Sequence, residues 1–404
     1  MRYRVVVIVA ICYMVGLAGT MTEFSIPPLT PIFQRHLHIL APSAGLLMSL
    51  FALATIITAL PAGSLTHRFG AKVTGMAGLG LSAAGALALM VGYGQADFGA
   101  VLAARFVSGM GFGLISVAAP AAISQQVPAR HAAKAMGVWA TWVPVGSVVM
   151  FVAAPHLVTN RSVRPLELVL TVCDLAAFLA MAALPMALPA RLGVLEDAPQ
   201  SPGISRQVLV TMLWVGLAFA CFTFSFVAFN TWVTTFFTER FHMTLVTAGL
   251  LAALISVVNA GFNVLSGVAL GHPRTRWYLV FVLPAWILAA LWVVLAYSPF
   301  AIMLTASFLT GALGGAIPTL IFAAPGRVAL TPRDLPLAMS IVIIGENIGI
   351  ILGPPIFGAV IRPPQFGVGF IVLAAVSVAM ALALGQVVKR VKSAGPEQAE
   401  GIAL

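Results

Sequence analysis

The sequence predicts an all-α membrane protein of twelve transmembrane helices arranged as two six-helix pseudo-repeats. Three observations carry that prediction. Of the 404 residues, 61% are hydrophobic and only 8% charged, with a mean hydropathy of +1.06; a surface facing water needs roughly a quarter of its residues charged. Apolar runs of ~20 residues, enough to cross a bilayer, recur twelve times. Short words from the first half then return in the second at a nearly constant offset.

The runs lie near 5–34, 43–65, 73–93, 98–124, 134–158, 166–189, 207–236, 245–270, 277–297, 299–325, 335–361 and 366–388. The first follows Met1-Arg2-Tyr3-Arg4 and continues through Glu23 and Pro27 with no small-x-small cleavage pattern, so it is read as a retained helix rather than a signal peptide. The longest polar interruption, Arg191 to Arg206, contains Glu196, Asp197, Pro199, Pro202 and Gly203. It reads as a linker. The expected organisation is an N-terminal half at 1–190, a cytoplasmic linker at 191–206, a C-terminal half at 207–390 and a cytoplasmic tail at 391–404. Gly353-Pro354-Pro355 is expected to bend or break the eleventh run.

Charge orients the chain. Of the 21 Lys and Arg residues, fifteen fall on the side of the N-terminus, five on the other, and Arg105 lies within a run. That bias places both termini in the cytoplasm and the protein in the plasma (inner) membrane. The formal net charge of +10 comes from basic residues spaced singly or in pairs, with no basic stripe. The expected partner is therefore the lipid bilayer and not nucleic acid. Cys12, Cys173 and Cys221 all fall in apolar runs and read as small packing residues. No Gly-x-x-x-x-Gly-Lys-Ser/Thr loop, metal-ligand spacing or Ser/His/Asp arrangement is found. An enzyme, ATP-driven transport and any metal or other cofactor are thus not expected. A monomer is expected.

Between the second and third runs stands Gly63-Ser64-Leu65-Thr66-His67-Arg68-Phe69-Gly70-Ala71-Lys72. A turn this short forces the flanking helices to lie antiparallel and adjacent, and Arg68 and Lys72 hold it on the cytoplasmic side. The residues Gly63, Leu65, Arg68, Phe69, Gly70 and Lys72 resemble the loop between helices 2 and 3 of major facilitator superfamily transporters. In that family the loop gates the change of state. The pattern departs at His67, where the family has an acidic residue that helps lock the outward-facing state, and at Ala71, where it has a basic one. Asp334, on the facing loop, is a candidate partner for Arg68.

The repeat points the same way. Arg105-Phe106-Val107-Ser108-Gly109-Met110-Gly111-Phe112-Gly113 reads against Ser307-Phe308-Leu309-Thr310-Gly311-Ala312-Leu313-Gly314-Gly315. Arg130, Ala135, Met136 and Gly146 return as Arg333, Ala338, Met339 and Gly349. Two like six-helix halves are a pattern of secondary transporters. Gly109/Gly113 and Gly345/Gly349/Gly353 recur every four residues and read as seams where helices pack closely.

Ionisable groups inside a span cost at least ~2.5–3.5 kcal/mol at a helix centre, so each needs a reason. Gly16, Thr20, Glu23, Pro27 and Thr30 share one small or polar face of the first segment. That face is expected to line an aqueous cavity, with Glu23 carrying an exchangeable proton. The alternative is a glutamate that caps backbone broken by Pro27 and Pro28. Gly19-Thr20-Met21-Thr22-Glu23-Phe24, with Pro42-Ser43-Ala44-Gly45-Leu46-Leu47 and Ser49, resembles the start of the twelve-span drug:proton antiporters, the sugar-efflux type above all. The resemblance assigns proton coupling or cation recognition to Glu23. Arg105 matches the superfamily's Arg-x-x-x-Gly-x-Gly-x-Gly pattern, which is tied to proton coupling; snorkelling and bracing are the structural alternative. Glu346, opposite Val143 in the repeat, reads either as a cavity-facing carboxylate or as a tight contact to Arg105 or Asn263. Asp174 reads as structural.

Ser256, Asn259, Asn263 and Ser266 share a face of the eighth segment, and the seventh ends in Asn230-Thr231-Trp232-Val233-Thr234-Thr235. These are candidate solute-binding walls or interhelical glue. Trp139 and Trp142 are belt residues or cavity aromatics. The expected substrate contacts are Thr20, Glu23, Arg105, Trp142, Asn230, Asn259 and Asn263, and the proton-coupling set is Glu23, Arg105 and Glu346. Together they describe a proton-coupled secondary transporter, working by alternating access, that exports a small polar, amphipathic or cationic solute. The alternative is uptake of a small organic anion anchored on Arg105.

Overall fold

The computed structural model describes residues 2–139, 141–158, 162–184, 206–270, 277–328 and 335–393. The linker expected at 191–206 falls outside this set except for Arg206, and so do Asp334 and the tail beyond residue 393.

The described residues are almost wholly helical. In chain order the helices are α1 (Arg2–Glu23), α2 (Thr30–Leu37), α3 (Ala41–Gly94), α4 (Phe98–Gln126), α5 (Ala129–Trp139), α6 (Trp142–Leu157), α7 (Arg164–Ala182), α8 (Arg206–Phe241), α9 (Leu245–Leu270), α10 (Trp277–Tyr297), α11 (Phe300–Val328), α12 (Leu335–Val360) and α13 (Gly367–Ser393). Among the described residues they make twelve apolar crossings: ten helices long and apolar enough to span a membrane, with α3 counted twice, and the shorter stretch Val282–Tyr297. The first is interrupted: α1 stops at Glu23, a single 3-10 turn occupies Pro27–Leu29, and α2 completes the crossing. The expected single helix over 5–34 breaks there because Pro27 and Pro28 cannot donate to the preceding turn. α5 and α6 share the fifth span. α3, at 54 residues, holds two spans.

Those two spans are divided by one residue. Gly70 has φ 85° and ψ 154°, a conformation open essentially to glycine alone. The expected loop over Gly63–Lys72 is therefore helix up to Phe69, and Gly63, Leu65, His67 and Arg68 ride on its last turns. α4 reads out the direction of both arms. Gly109 and Gly113 meet Phe51 and Thr55, so the first arm runs parallel to α4. Gly78, Gly85 and Gly92 meet Gly111, Ala104 and Ala100 in reverse order, so the second arm runs antiparallel. The arms are thus antiparallel neighbours, and one glycine makes the turn. Lys72, just past it, donates to the carbonyl of Leu184 at 2.8 Å and caps the exit of α7.

The described chain separates into two compact units, Met1–Glu196 with Thr231–Ala253, and Asp197–Asn230 with Leu254–Leu404. In the first, the seam of α4 on α3 is made where Gly109 touches the carbonyl of Phe51. In the second, Gly311 of α11 lies against the carbonyl of Ile255 on α9 in the same way, with Gly315 against Asn259. The repeat read in the letters is thus repeated in the packing. A second seam of the second unit sets Gly345, Gly349 and Gly353 of α12 on Gly216, Ala220 and Phe224 of α8, four residues to each step. α12 continues as helix through Pro354 and Pro355 to Val360, so the chain does not break there; Gly353, just before them, is packed against Phe224 of α8.

The first unit has two apolar clusters. One gathers Ile26, Leu29, Phe33, Leu47, Leu89, Val101 and Leu166. The other gathers Ile8, Cys12, Val15, Leu79, Ile115, Ile123 and Met181. Along α1, the second arm of α3, α4 and α7, several buried polar residues lie between these clusters, and that layer is the candidate site.

Candidate functional site

The layer contains Thr20 and Thr22 of α1, Ser82 of α3, Arg105 and Ser108 of α4, and Thr171 and Asp174 of α7, all buried, with Glu23 half-buried beside them. The helical stripes explain the gathering. On α7 the buried positions Leu166, Glu167, Leu170, Thr171, Asp174, Ala177 and Met181 fall at steps of one, three and four. Glu167 and Asp174 therefore occupy core positions of an otherwise apolar face.

Arg105 is fully buried. Its Nη1 donates to the carbonyl of Thr22 at 2.7 Å, its Nη2 to the carbonyl of Glu23 at 3.1 Å and its Nε to the carbonyl of Leu47 at 3.1 Å. Its carbon Cζ lies 4.4 Å from the centroid of the Phe51 ring. Thr22 and Glu23 end α1, so their carbonyls have lost their helical donors and form the negative end of the helix. A cation there satisfies both. Among the described residues the guanidinium enters no salt bridge. Glu167 and Glu23 lie within electrostatic range of it.

The rest of the first-segment face is packed. Gly16 lies under the ring of Trp142, and the methyl of Thr20 fills the space beside Gly146. Neither borders an open cavity, which corrects that part of the expectation. The small residues of α6 and the bulk of Trp142 cover the face instead. Trp142 stacks on Trp139 at 4.8 Å and on Phe112 at 5.3 Å, an aromatic core rather than a belt. Thr30 and Thr234 serve as glue: Thr30 Oγ1 donates to the carbonyl of Thr231 at 3.2 Å, and Thr234 Oγ1 to that of Pro27 at 2.6 Å.

In the second unit Ser307, the repeat partner of Arg105, donates to Met303 of its own helix. The charge belongs to one repeat only. Glu346 is half-buried beside the α8 seam, and its carbonyl accepts from Thr223 at 2.8 Å. Asn230 and Asn259 are half-buried and Asn263 is exposed. Asn259 lies against Gly314 and Gly315 in the α9–α11 seam.

Glu167 escaped the sequence reading because it stands at the mouth of a span, where a polar residue draws no notice. Its spacing of four to Thr171 and seven to Asp174 was the available signal.

Residues 9–324 match the Major Facilitator Superfamily, and the chain belongs to that family. An uncharacterised MFS-type transporter of Mycobacterium tuberculosis is 30% identical over 148 residues, 36% of this chain and 25% of its own length; the match thus spans about a quarter of that relative. Three solved structures share the fold. A D-xylose-proton symporter aligns with a TM-score of 0.77 at 14% identity, over 94% of this chain and 96% of its own. A variant of the nucleoside transporter NupG gives 0.76 at 14%, over 94% and 99%. The E. coli xylose transporter XylE gives 0.75 at 13%, over 98% and 99%.

Proposed function

We propose that this protein is a monomeric secondary transporter of the inner membrane, with both termini cytoplasmic. By alternating access it couples proton influx to export of a small polar, amphipathic or cationic solute. The observation that carries the reading is the placement of Arg105. A permanent cation is buried in a membrane bundle and clasps the two carbonyls at which α1 breaks, next to the only carboxylate of that helix. A protonation change on Glu23 alters the field on that clasp, and the clasp sets the geometry of the interrupted span. Arg105 thus tunes the proton site, Glu346 supplies a second acid, and Asn230, Asn259 and Asn263 are the residues offered for solute contact.

Purified protein in liposomes, with a pH gradient and an internal pH dye, tests this. A panel of solutes should include one that triggers proton movement opposite to its own, and Glu23→Gln should abolish that movement. Co-directional movement would overturn export in favour of symport, the activity named for the xylose-proton symporter that shares the fold. Anion uptake anchored on Arg105 has no observation in its favour, since the guanidinium is fully covered and engaged by carbonyls.

A further inference from the structure

Two buried acids are left over once Glu23 and Arg105 are accounted for. Glu167 is 1% exposed and Asp174 is 0% exposed. Glu167 Oε1 and both carboxyl oxygens of Asp174 have no hydrogen-bond partner among the described residues. Seven residues apart on one helix, the two acids are separated along its axis by about 10 Å, at ~1.5 Å rise per residue. Asp174 lies in the polar layer between the two apolar clusters. Glu167 lies a turn or two nearer the start of α7, among Leu166 and Leu170.

We propose that Glu167 and Asp174 form a proton-holding site inside the first unit: both are held as neutral acids when the protein is at rest, and one proton is exchangeable. An ionised carboxylate in this environment would need either a counter-ion or several donors. The groups facing the pair supply neither. From α4, Arg105 lies within electrostatic range of Glu167, but its hydrogen bonds go to the carbonyls of Leu47, Thr22 and Glu23. From α3, the Ser82 hydroxyl lies beside Asp174 and also donates to Thr22 Oγ1 at 3.3 Å, so the most it offers the acid is one shared donor. From α1 the titratable group is Glu23, an acid placed beside Arg105, and on α7 Cys173 adds a thiol beside Asp174. A proton on each carboxyl removes the charge at the least cost. When the proton leaves Glu167, the new anion is drawn to Arg105, and that pull competes with the clasp on α1. The site thus connects a protonation change on α7 to the break in the first span. This link rests on the proton-coupled reading above; the holding of protons does not.

The test is infrared spectroscopy of purified protein at neutral pH, read at the carbonyl stretch of neutral carboxylic acids and its shift in deuterated water. Wild-type protein should show this band, and Glu167→Gln and Asp174→Asn should each remove part of it. Both amides mimic the neutral acid, so both variants should keep or raise the melting temperature. An absent band, or one unchanged by both substitutions, would overturn the proposal. So would a fall in melting temperature in both variants, which would mark ionised groups serving as structural partners. Liposome assays separate the two readings. If the band behaves as stated while wild-type protein moves no protons with any solute, the coupling reading fails and the proton-holding site stands. With coupling present, Asp174→Asn should lose net pH-driven flux and keep solute exchange.

Discussion

Arg105 Nη1 donates to the carbonyl of Thr22 at 2.7 Å, so this fully buried cation is held by backbone rather than by a counter-charge. The contact joins α4 to the broken end of α1 and explains how an interrupted helix is tolerated at that depth. Arg105→Lys keeps the charge but cannot reach Thr22, Glu23 and Leu47 together. Hydrogen bonds to charged groups contribute about 1.5–3 kcal/mol each, so the lysine variant should unfold at a clearly lower temperature in detergent. A melting temperature equal to wild type would show that the clasp does not hold α1.

The seams are tested by adding one methyl group. Gly109→Ala and Gly311→Ala would each press a Cβ against a backbone carbonyl of the neighbouring helix, of Phe51 and Ile255 respectively. Overpacking of this kind costs about 1–3 kcal/mol. Gly80→Ala, with nothing within 4 Å, is the control and should be neutral or slightly stabilising. Equal thermal stability for all three would remove the seams from the account.

Gly70→Ala adds no clash, since nothing lies within 4 Å, yet it forces an L-residue to φ 85°. Such strain costs on the order of 1–3 kcal/mol. Expression of folded protein and melting temperature should fall for Gly70→Ala and hold for Gly63→Ala, which sits in open helix. The reverse order would place the turn elsewhere.

Thr234→Val removes the hydroxyl that serves Pro27, whereas Thr235→Val removes a buried hydroxyl with no hydrogen-bond partner among the described residues. Interhelical bonds of this class average ~0.6 kcal/mol and reach about 1.7. Chemical unfolding should therefore rank Thr234→Val below Thr235→Val. Indistinguishable variants would make the Pro27 contact incidental.

Twelve spans were legible in the sequence because bilayer thickness imposes a length on every crossing, and the repeat because close helix contact demands small residues at fixed steps. Arg105 and Glu23 stood out since charge in an apolar run needs a cause. What the sequence hid depends on neighbours. Whether the Thr20 face is wet or packed turns on Gly146 and Trp142, which are more than a hundred residues away. The role of Thr234 turns on a carbonyl freed by Pro27. Glu167 was hidden by position: a polar residue at a span's end is ordinary until the fold shows its face turned inward.

The matched contacts Gly109–Phe51 and Gly311–Ile255 make the same backbone-on-backbone approach in both repeats. Where main chain rests on main chain, even one added methyl group is felt. Arg105 and Ser307 each stand four residues before the seam glycine, a buried cation in one repeat and a neutral hydroxyl in the other. The scaffold thus fixes the seam and leaves the neighbouring position open to a charge or to none.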